Sequence, residues 1–437
     1  MKRIYIKDLS QSIGQEIWIS GWVDVRRDQG KMVFIDIRDM SGRVQCVVLP
    51  SHAEAMEQVK NIRKEWVITA RGIVNARPAK NVKADVQNGN IELEILEVKV
   101  LAEAKDLPFE KDNDLNLDTY LDYLPLTLRS QRGQDIFKVQ ETIIQAFREA
   151  LKKENFTEFQ APAIVGGDAE GGAMAFKVEY YYEKTAFLAT SPQFYKQIMT
   201  AVYEKVFTTP KIFRGEKHAT SRHLSELTQM DFEMAFIESE LDVMEVLERV
   251  IKHIVLKVKE NHTELLGRFS AELPLVADKF PILTLREAQK VLGVAEDPDL
   301  EPEQERQICE WAKREHGSDF IFITKFPTSK RAFYTYEEPS EAPYSRGFDL
   351  LFRGLEINSG AQRINNYESL VKKMLSVGLD PEKFSFYLQA FKYGIPPHGG
   401  CSTGLERITA RMLELPNVKE AALFPRDLNR IDNKLSQ

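Results

Sequence analysis

The chain has 437 residues, 43% hydrophobic and 29% charged, with a formal net charge of −7; that length exceeds one ordinary core, so two or more domains are expected. No run approaches the ~18–20 apolar residues of a membrane span, and the first residues lack the apolar core of a secretory signal. Cys46, Cys309 and Cys401 lie too far apart for a disulfide framework or a zinc site, so a cytoplasmic location is expected. Residues 1–100 hold 16 Lys and Arg against 13 Asp and Glu, a balance of +3 that leaves −10 for the rest and permits a nucleic-acid partner for the head.

Strand patterns occur at 16–25, 32–39, 43–49, 65–76 and 90–101. A Ser41-Gly42 turn joins the second to the third, and a short helix at 51–62, opened by Ser51, follows the third. Five strands with a helix in that position spell the oligonucleotide-binding (OB) barrel, assigned to residues 1–102. Phe34 and Gln45, with Arg26, Arg27 and Arg38, lie on or near the second and third strands. There an aromatic ring stacks on bases while guanidinium groups hold phosphates; the bland alternative is a core phenylalanine beside solvated arginines. Residues 103–133 read as a linker, interrupted at Leu124-Pro125.

A helix over 134–154 shows its buried stripe at Ile136, Val139, Ile143, Phe147 and Leu151. NFTEFQAPAIV then reads as a strand bearing Pro162, which belongs at an edge or a subunit contact. GGDAEGGAMAF is a glycine-bracketed loop offering Asp168 or Glu170. FLATSPQFYKQIM reads strand then helix, with Ser191 as cap, Pro192 at the first helical position, and Gln193 and Lys196 on one face. A helix start plus an ammonium group attracts a small carboxylate.

In residues 209–237 two strand-like runs flank a polar, basic loop of about ten residues, long for a hairpin. Met230, Phe232, Met234 and Phe236 alternate with Gln229, Asp231 and Glu233, giving one apolar and one polar face. Arg214 and Glu216 share a face of the first strand, and the loop carries His218, Arg222 and His223. A helix around 240–260 reads as core, and the polar helical run at 296–317 is given no chemistry. In RGFDLLFRGLEINSGAQR, a two-residue Arg353-Gly354 turn sets Asp349 opposite Asn358 and Leu351 opposite Glu356. Asp349 and Glu356 are then diagonal neighbours that can share a magnesium ion, with Ser359 and Arg363 on the same segment; otherwise they form a polar outer face opposed by no cation. FKYGIPPHGGCSTGLERI joins a glycine-rich turn to a helix starting near Gly404, with Arg407 in its first turn. Neither a P-loop nor a strand-linked G-x-G-x-x-G occurs.

In this order, NFTEFQAPAI, FRGEKHATSRHLSELTQMDFEM and GLERI resemble the three motifs of the class II aminoacyl-tRNA synthetases, in the subclass with an N-terminal anticodon-binding barrel. SPQFYKQ, MDFEMAF, RGFDL and KYGIPPHGG are similar to the aspartyl enzymes, and the compact insertion around 265–330 to their archaeal type. The resemblance implies an α+β fold, in which the OB barrel precedes a catalytic domain (134–437) built on an antiparallel sheet flanked by helices. It implies ATP-dependent activation of aspartate and its transfer to tRNA(Asp). Aspartyl enzymes charge tRNA(Asp) alone or tRNA(Asn) too, a choice set around Asp24 and the 77–85 loop, and both acceptors stay open here.

By the same resemblance, Arg214 holds the α-phosphate and the substrate carboxylate. Glu216, Arg222, His223, Leu224, Glu356, Gly404, Leu405, Glu406 and Arg407 position ATP, and Asp349, Glu356 and Ser359 hold Mg²⁺. Glu170, Ser191, Gln193, Lys196, Asp231, Ser359 and Arg363 frame aspartate, Asp231 pairing with its ammonium. Arg26, Phe34 and Gln45 contact the anticodon, and Pro162 marks a homodimer interface. The chain departs from the family at Cys401-Ser402-Thr403, in place of an aromatic-containing turn, and at Ile364, in place of an acidic residue. The rival readings are an asparaginyl enzyme, a relative that makes an adenylate without tRNA, and a nucleic-acid-binding module with an inactive synthetase body.

Overall fold

Alternation of core and half-exposed residues along the first hundred positions closes a barrel. The computed structural model describes residues 3–84, 86–110, 114–167, 174–217 and 220–435, in two units divided between Asn113 and Asp114. In the first unit run β1 (Glu16–Gln29), β2 (Met32–Asp39), β3 (Gly42–Val48), α1 (Ala53–Val59), β4 (Val67–Ala76) and β5 (Ile91–Ala102). They close in the order β1-β2-β3-β5-β4, with β4 back on β1 and only β3–β5 parallel. Val33, Ile35 and Ile37 point inward to one core with Ile19, Ile68 and Leu93. Two local expectations are corrected. Asp39 pairs with Gly42, so the tight turn is Met40-Ser41, and the Asp39 carboxylate accepts the Ser41 backbone N–H at 2.7 Å. Nor does Ser51 cap α1, which follows His52 without a side-chain cap.

The second unit opens with two short helices where a linker was expected: α2 (Leu117–Asp122), capped by Asn116, and α3 (Leu124–Thr127). Pro125 lies in the first turn of α3, where a missing N–H costs no bond. Ser130 caps α4 (Gln131–Lys153). Then come β6 (Thr157–Glu158), β7 (Ile164–Val165), β8 (Lys177–Tyr180), β9 (Lys184–Leu188), α5 (Gln193–Tyr203), β10 (Lys205–Thr208), β11 (Lys211–Phe213), β12 (Glu226–Ala235) and α6 (Glu240–Arg268). The chain continues through β13 (Ile282–Thr284), α7 (Leu285–Leu292), α8 (Pro302–His316), β14 (Phe320–Thr324), β15 (Gly347–Phe352), β16 (Leu355–Gln362), α9 (Tyr367–Ser376), α10 (Ser385–Lys392), β17 (His398–Gly404) and α11 (Leu405–Met412).

The main sheet runs β13-β14-β15-β16-β17-β12-β10-β6, with β11 also on β12; it is antiparallel except at β13–β14 and β6–β10. Apolar residues of α4, α6 and α11 pack with Met230, Phe232 and Met234 of β12 in the largest core. Pro162 is exposed and lies between β6 and β7 rather than inside a strand. Phe236 leaves β12 with φ 59° and is 69% exposed, so the apolar alternation stops at Met234. The glycine-rich segment before Gly404 is not a turn but β17, a central strand between β16 and β12.

The β15–β16 hairpin departs from the expected register. Leu351 pairs with Glu356, but Asp349 pairs with Ser359 and Leu350 with Asn358, because Ile357 is an extra residue. In an unbroken strand, positions 356 and 359 face opposite ways. The bulge puts both on the side that carries Asp349.

Candidate active site

The expected polar face of β12 is buried, not solvated. Asp231 and Glu233 are both fully buried, and the Lys196 side chain, 1% exposed, reaches them from α5. Its ammonium lies 3.1 Å from Asp231 and 3.3 Å from Glu233, and donates to the Cys401 carbonyl at 3.0 Å. Only the bond to Cys401 has hydrogen-bond geometry; the two carboxylates are ion-pair contacts, and neither Asp231 oxygen has a hydrogen-bond partner. Arg363, just beyond β16, donates to Glu233 at 2.8 Å, to the Gly400 carbonyl at 2.9 Å and to Gln193 Oε1 at 3.3 Å. Two cations and two carboxylates therefore balance inside the fold. Burial alone would push Glu233 up, but Arg363 and Lys196 beside it hold its carboxyl below the usual range. For Asp231 burial outweighs the pull of Lys196, and its pKa is raised. Gly400 is required here, since a Cβ would stand 2.1 Å from the Glu233 carboxylate.

Beneath this floor, His398 Nδ1 donates to the Pro396 carbonyl at 2.8 Å, so Nε2 accepts from Gln197 at 2.9 Å. Burial pushes the pKa of His398 down to about 4. An unfolded histidine titrates near ~6.5, so acid protonates the unfolded chain first. The folded state is unaffected above that pH and loses up to about 3 kcal/mol as pH falls toward about 4. Urea midpoints should therefore drop more steeply from pH 7 to 5 in the wild type than in His398→Asn. Parallel slopes would exclude His398 as the source.

Above the floor opens a cavity of about 490 Å³, within the size range of small-molecule sites. Ser191, Gln193, Lys196, Arg214, Glu216, Arg222, His223, Leu224, Glu356, Ser359, Arg363, Gly404, Glu406 and Arg407 all line it. Ser191 Oγ accepts the Gln193 backbone N–H at 3.2 Å, but α5 begins one residue later than expected, with Pro192 rather than Ser191 in the cap position and no side-chain cap. Arg214 follows β11, its backbone N–H bonded to the Ser225 carbonyl at 2.9 Å. Arg222 donates to Glu305 of α8 at 2.7 Å and to the Gly354 carbonyl at 3.1 Å, so the helix given no chemistry supplies a carboxylate to the rim. Arg407 donates to the Glu356 carbonyl at 2.9 Å, and its guanidinium is 3.6 Å from the Glu356 carboxylate. Gln193 Nε2, Glu216 Oε2 and Gln229 Oε1 are buried at the wall without a hydrogen-bond partner. A polar ligand would satisfy them.

Both hairpin carboxylates meet cations, contrary to expectation. Arg331 grips Asp349 with two bonds, 2.9 and 2.8 Å, and donates to Ser359 at 3.0 Å. Glu356 instead opens onto the cavity. Its depth in the protein and the nearby charge of Asp349 push its pKa up to about 7, so a bound cation would be favourable there. Among the described residues no cluster of three His, Cys, Asp or Glu forms a metal cage. The donor set fits a hard ion that completes its shell with phosphate oxygens and water.

Other expected roles change. Leu405 points into the main core, away from the cavity. The Glu406 carboxylate takes the Thr228 backbone N–H at 3.0 Å, which binds α11 to β12. Asp231 pairs with Lys196 behind the wall. Asp168, Glu170 and His218 lie outside the described residues. In the barrel, Arg26 donates to the carbonyls of Val59, Lys60 and Ile62 at 2.8 Å each, closing the end of α1. It is a structural cap rather than a phosphate ligand. Arg27 pairs with Asp36, and Arg38 with Asp24 and Glu65. Phe34 and Gln45 are half-buried on the outward face, so Phe34 is not core. Glu233, His398, Arg331 and Glu305 were missed. Only Glu233 had a sequence signal, its place in phase with Asp231.

Residues 116–428 match the family model described as tRNA synthetases class II (D, K and N), and residues 17–101 match that for an OB-fold nucleic acid binding domain. The chain is 40% identical to the aspartate–tRNA(Asp/Asn) ligase of Thermus thermophilus, over 98% of this chain and 99% of that protein. It is 38% identical to the aspartate–tRNA(Asp) ligase of Pyrococcus abyssi, over 98% of each. Among solved structures it resembles asparaginyl-tRNA synthetase from Pyrococcus horikoshii complexed with asparaginyl-adenylate, with TM-score 0.91, 30% identity and 99% coverage of both chains. No described helix is long and apolar enough to cross a membrane.

Proposed function

The chain belongs to the class II aminoacyl-tRNA synthetases of the aspartyl, lysyl and asparaginyl group, and from that premise we propose that it ligates L-aspartate to tRNA(Asp), with tRNA(Asn) as a second acceptor. The observation that carries the amino-acid choice is the buried pair Lys196 and Arg363 in the wall of a cavity that Arg214, Arg222 and Arg407 also line. Aspartate brings a second carboxylate to the paired cations. Lys196 and Arg363 are already offset by Asp231 and Glu233, so aspartate is favoured through charge-assisted hydrogen bonds from these donors to its second carboxylate, which an asparagine amide accepts more weakly.

The α-carboxylate of aspartate attacks the α-phosphorus of ATP, forming aspartyl-adenylate as pyrophosphate leaves with the bonding pair. The terminal ribose of the tRNA then takes the aspartyl group and releases AMP. No side chain acts as a nucleophile, so the protein contributes position and charge. Arg214 balances the charge on the α-phosphate and aligns the carboxylate. Arg222, His223 and Glu216 orient the nucleotide with Arg407. Glu356 and Ser359 would hold Mg²⁺, joined by Asp349 only if Arg331 released its carboxylate; the ion would supply charge neutralisation on the phosphates. Phe34 and Gln45 meet the anticodon on the barrel's outer face. A homodimer forms along the edge beyond β6, where Pro162 and Ile164 are exposed.

Aspartate-dependent ATP–pyrophosphate exchange, followed by charging of purified tRNA(Asp) and tRNA(Asn), tests this reading. Exchange with aspartate but not asparagine, and charging of both tRNAs, are expected. Exchange driven by asparagine instead would favour the asparaginyl reading. Exchange without charging of either tRNA would favour an adenylate-forming relative.

A further inference from the structure

The helix α8 belongs to the insertion and most of its carboxylates are solvated: Glu303 is paired with Arg306 at the surface, its side chain 60% exposed. Glu305 differs. Its side chain is only 14% exposed and turns toward the cavity rim, on the helix that also buries Ile308, Cys309 and Ala312. It accepts from Arg222 at 2.7 Å and lies within electrostatic reach of Arg407 and of the Glu356 backbone. Three separate segments that line the cavity thus converge on one carboxylate from outside them.

We infer that Glu305 is a positioning residue for the nucleotide's phosphates, acting through Arg222; this rests on the ATP-dependent reading above. Arg222 has five N–H donors, and its contacts with Glu305 and the Gly354 carbonyl occupy one on each terminal nitrogen. The guanidinium is held at both terminal nitrogens while the residue still lines the cavity. An arginine fixed in this way meets an anion with less loss of side-chain freedom than one free to swing. A solvated ion pair would contribute little, but this one is largely withdrawn from water.

The test uses the full chain, with ATP and aspartate titrated separately by calorimetry and by the exchange assay. Glu305→Ala should weaken ATP binding about tenfold and raise its KM, with aspartate affinity within about twofold of wild type. Glu305→Gln keeps an acceptor oxygen and should recover most of the loss. In an Arg222→Ala background, Glu305→Ala should add nothing further. Equal weakening of both ligands, a loss that persists without Arg222, unchanged ATP affinity, or tighter ATP binding would each overturn the assignment; the last would make Glu305 a brake. A wild-type protein that binds no ATP would remove the parent reading as well, whereas normal wild-type binding with an unaltered variant removes Glu305 alone.

Discussion

Arg214→Ala is expected to reduce aspartate-dependent pyrophosphate exchange by about 10³-fold or more, with the fold intact. The reaction offers the protein no covalent step, so a lost charge at the α-phosphate has no substitute elsewhere in the mechanism. The backbone of Arg214 is held through its own N–H to the Ser225 carbonyl, a bond that survives truncation of the side chain. Glu356→Ala should have a comparable effect on exchange for a different reason, the loss of the carboxylate that opens onto the cavity. Its stability should not fall, because burial and the repulsion from Asp349 already disfavour the charged form, pushing its pKa up to about 7. Thermal melting alongside the exchange assay separates the two quantities. Near-normal exchange in either variant removes that residue from the proposed site, and a lowered melting temperature in Glu356→Ala refutes the electrostatic account.

The elements that the sequence made legible are those whose pattern is local. Period-2 alternation located the five barrel strands within a few residues, and the i, i+3/i+4 stripe located α4. Convergence of distant side chains was not legible, because nothing local marks it. Arg26 looked available for a phosphate, yet the end of α1, more than thirty residues on, claims its guanidinium. Asp349 and Glu356 appeared unopposed by any cation, but Arg331 arrives from a separate loop. The bulge at Ile357 was invisible because a two-residue turn fixes only the pairs next to it, and one extra residue then moves Ser359 to the face of Glu356. The run HGGCSTG lacks the bulky side chains of an ordinary strand. As β17 it runs between two others where Glu233 leaves no room for a Cβ at position 400.

Lys196→Ala has the second of the largest expected effects, and the geometry makes it a double one. The ammonium is the shared partner of two fully buried carboxylates, so truncation leaves Asp231 without its cation and Glu233 with Arg363 alone. Breaking a buried pair on one side costs about 3–5 kcal/mol, enough to lower the melting temperature by several degrees. Aspartate affinity should fall by about 10²-fold or more, against a small change for ATP, whose proposed partners are not among the Asp231, Glu233 and Cys401 contacts of Lys196. Of the donors of Lys196 only the one on the Cys401 carbonyl is held in a hydrogen bond, so the ammonium can turn toward a substrate carboxylate. The Cys401 carbonyl is the cheapest to release, since a neutral hydrogen bond is then exchanged for a charge-assisted one. Lys196→Ala combined with Asp231→Asn separates the roles: removing the carboxylate left without a cation should restore much of the stability while aspartate binding stays weak. If the double variant instead regains aspartate affinity along with stability, Lys196 supports the floor of the cavity and the substrate's second carboxylate is read by Arg363. If the single variant loses ATP and aspartate affinity equally, neither cation selects the amino acid.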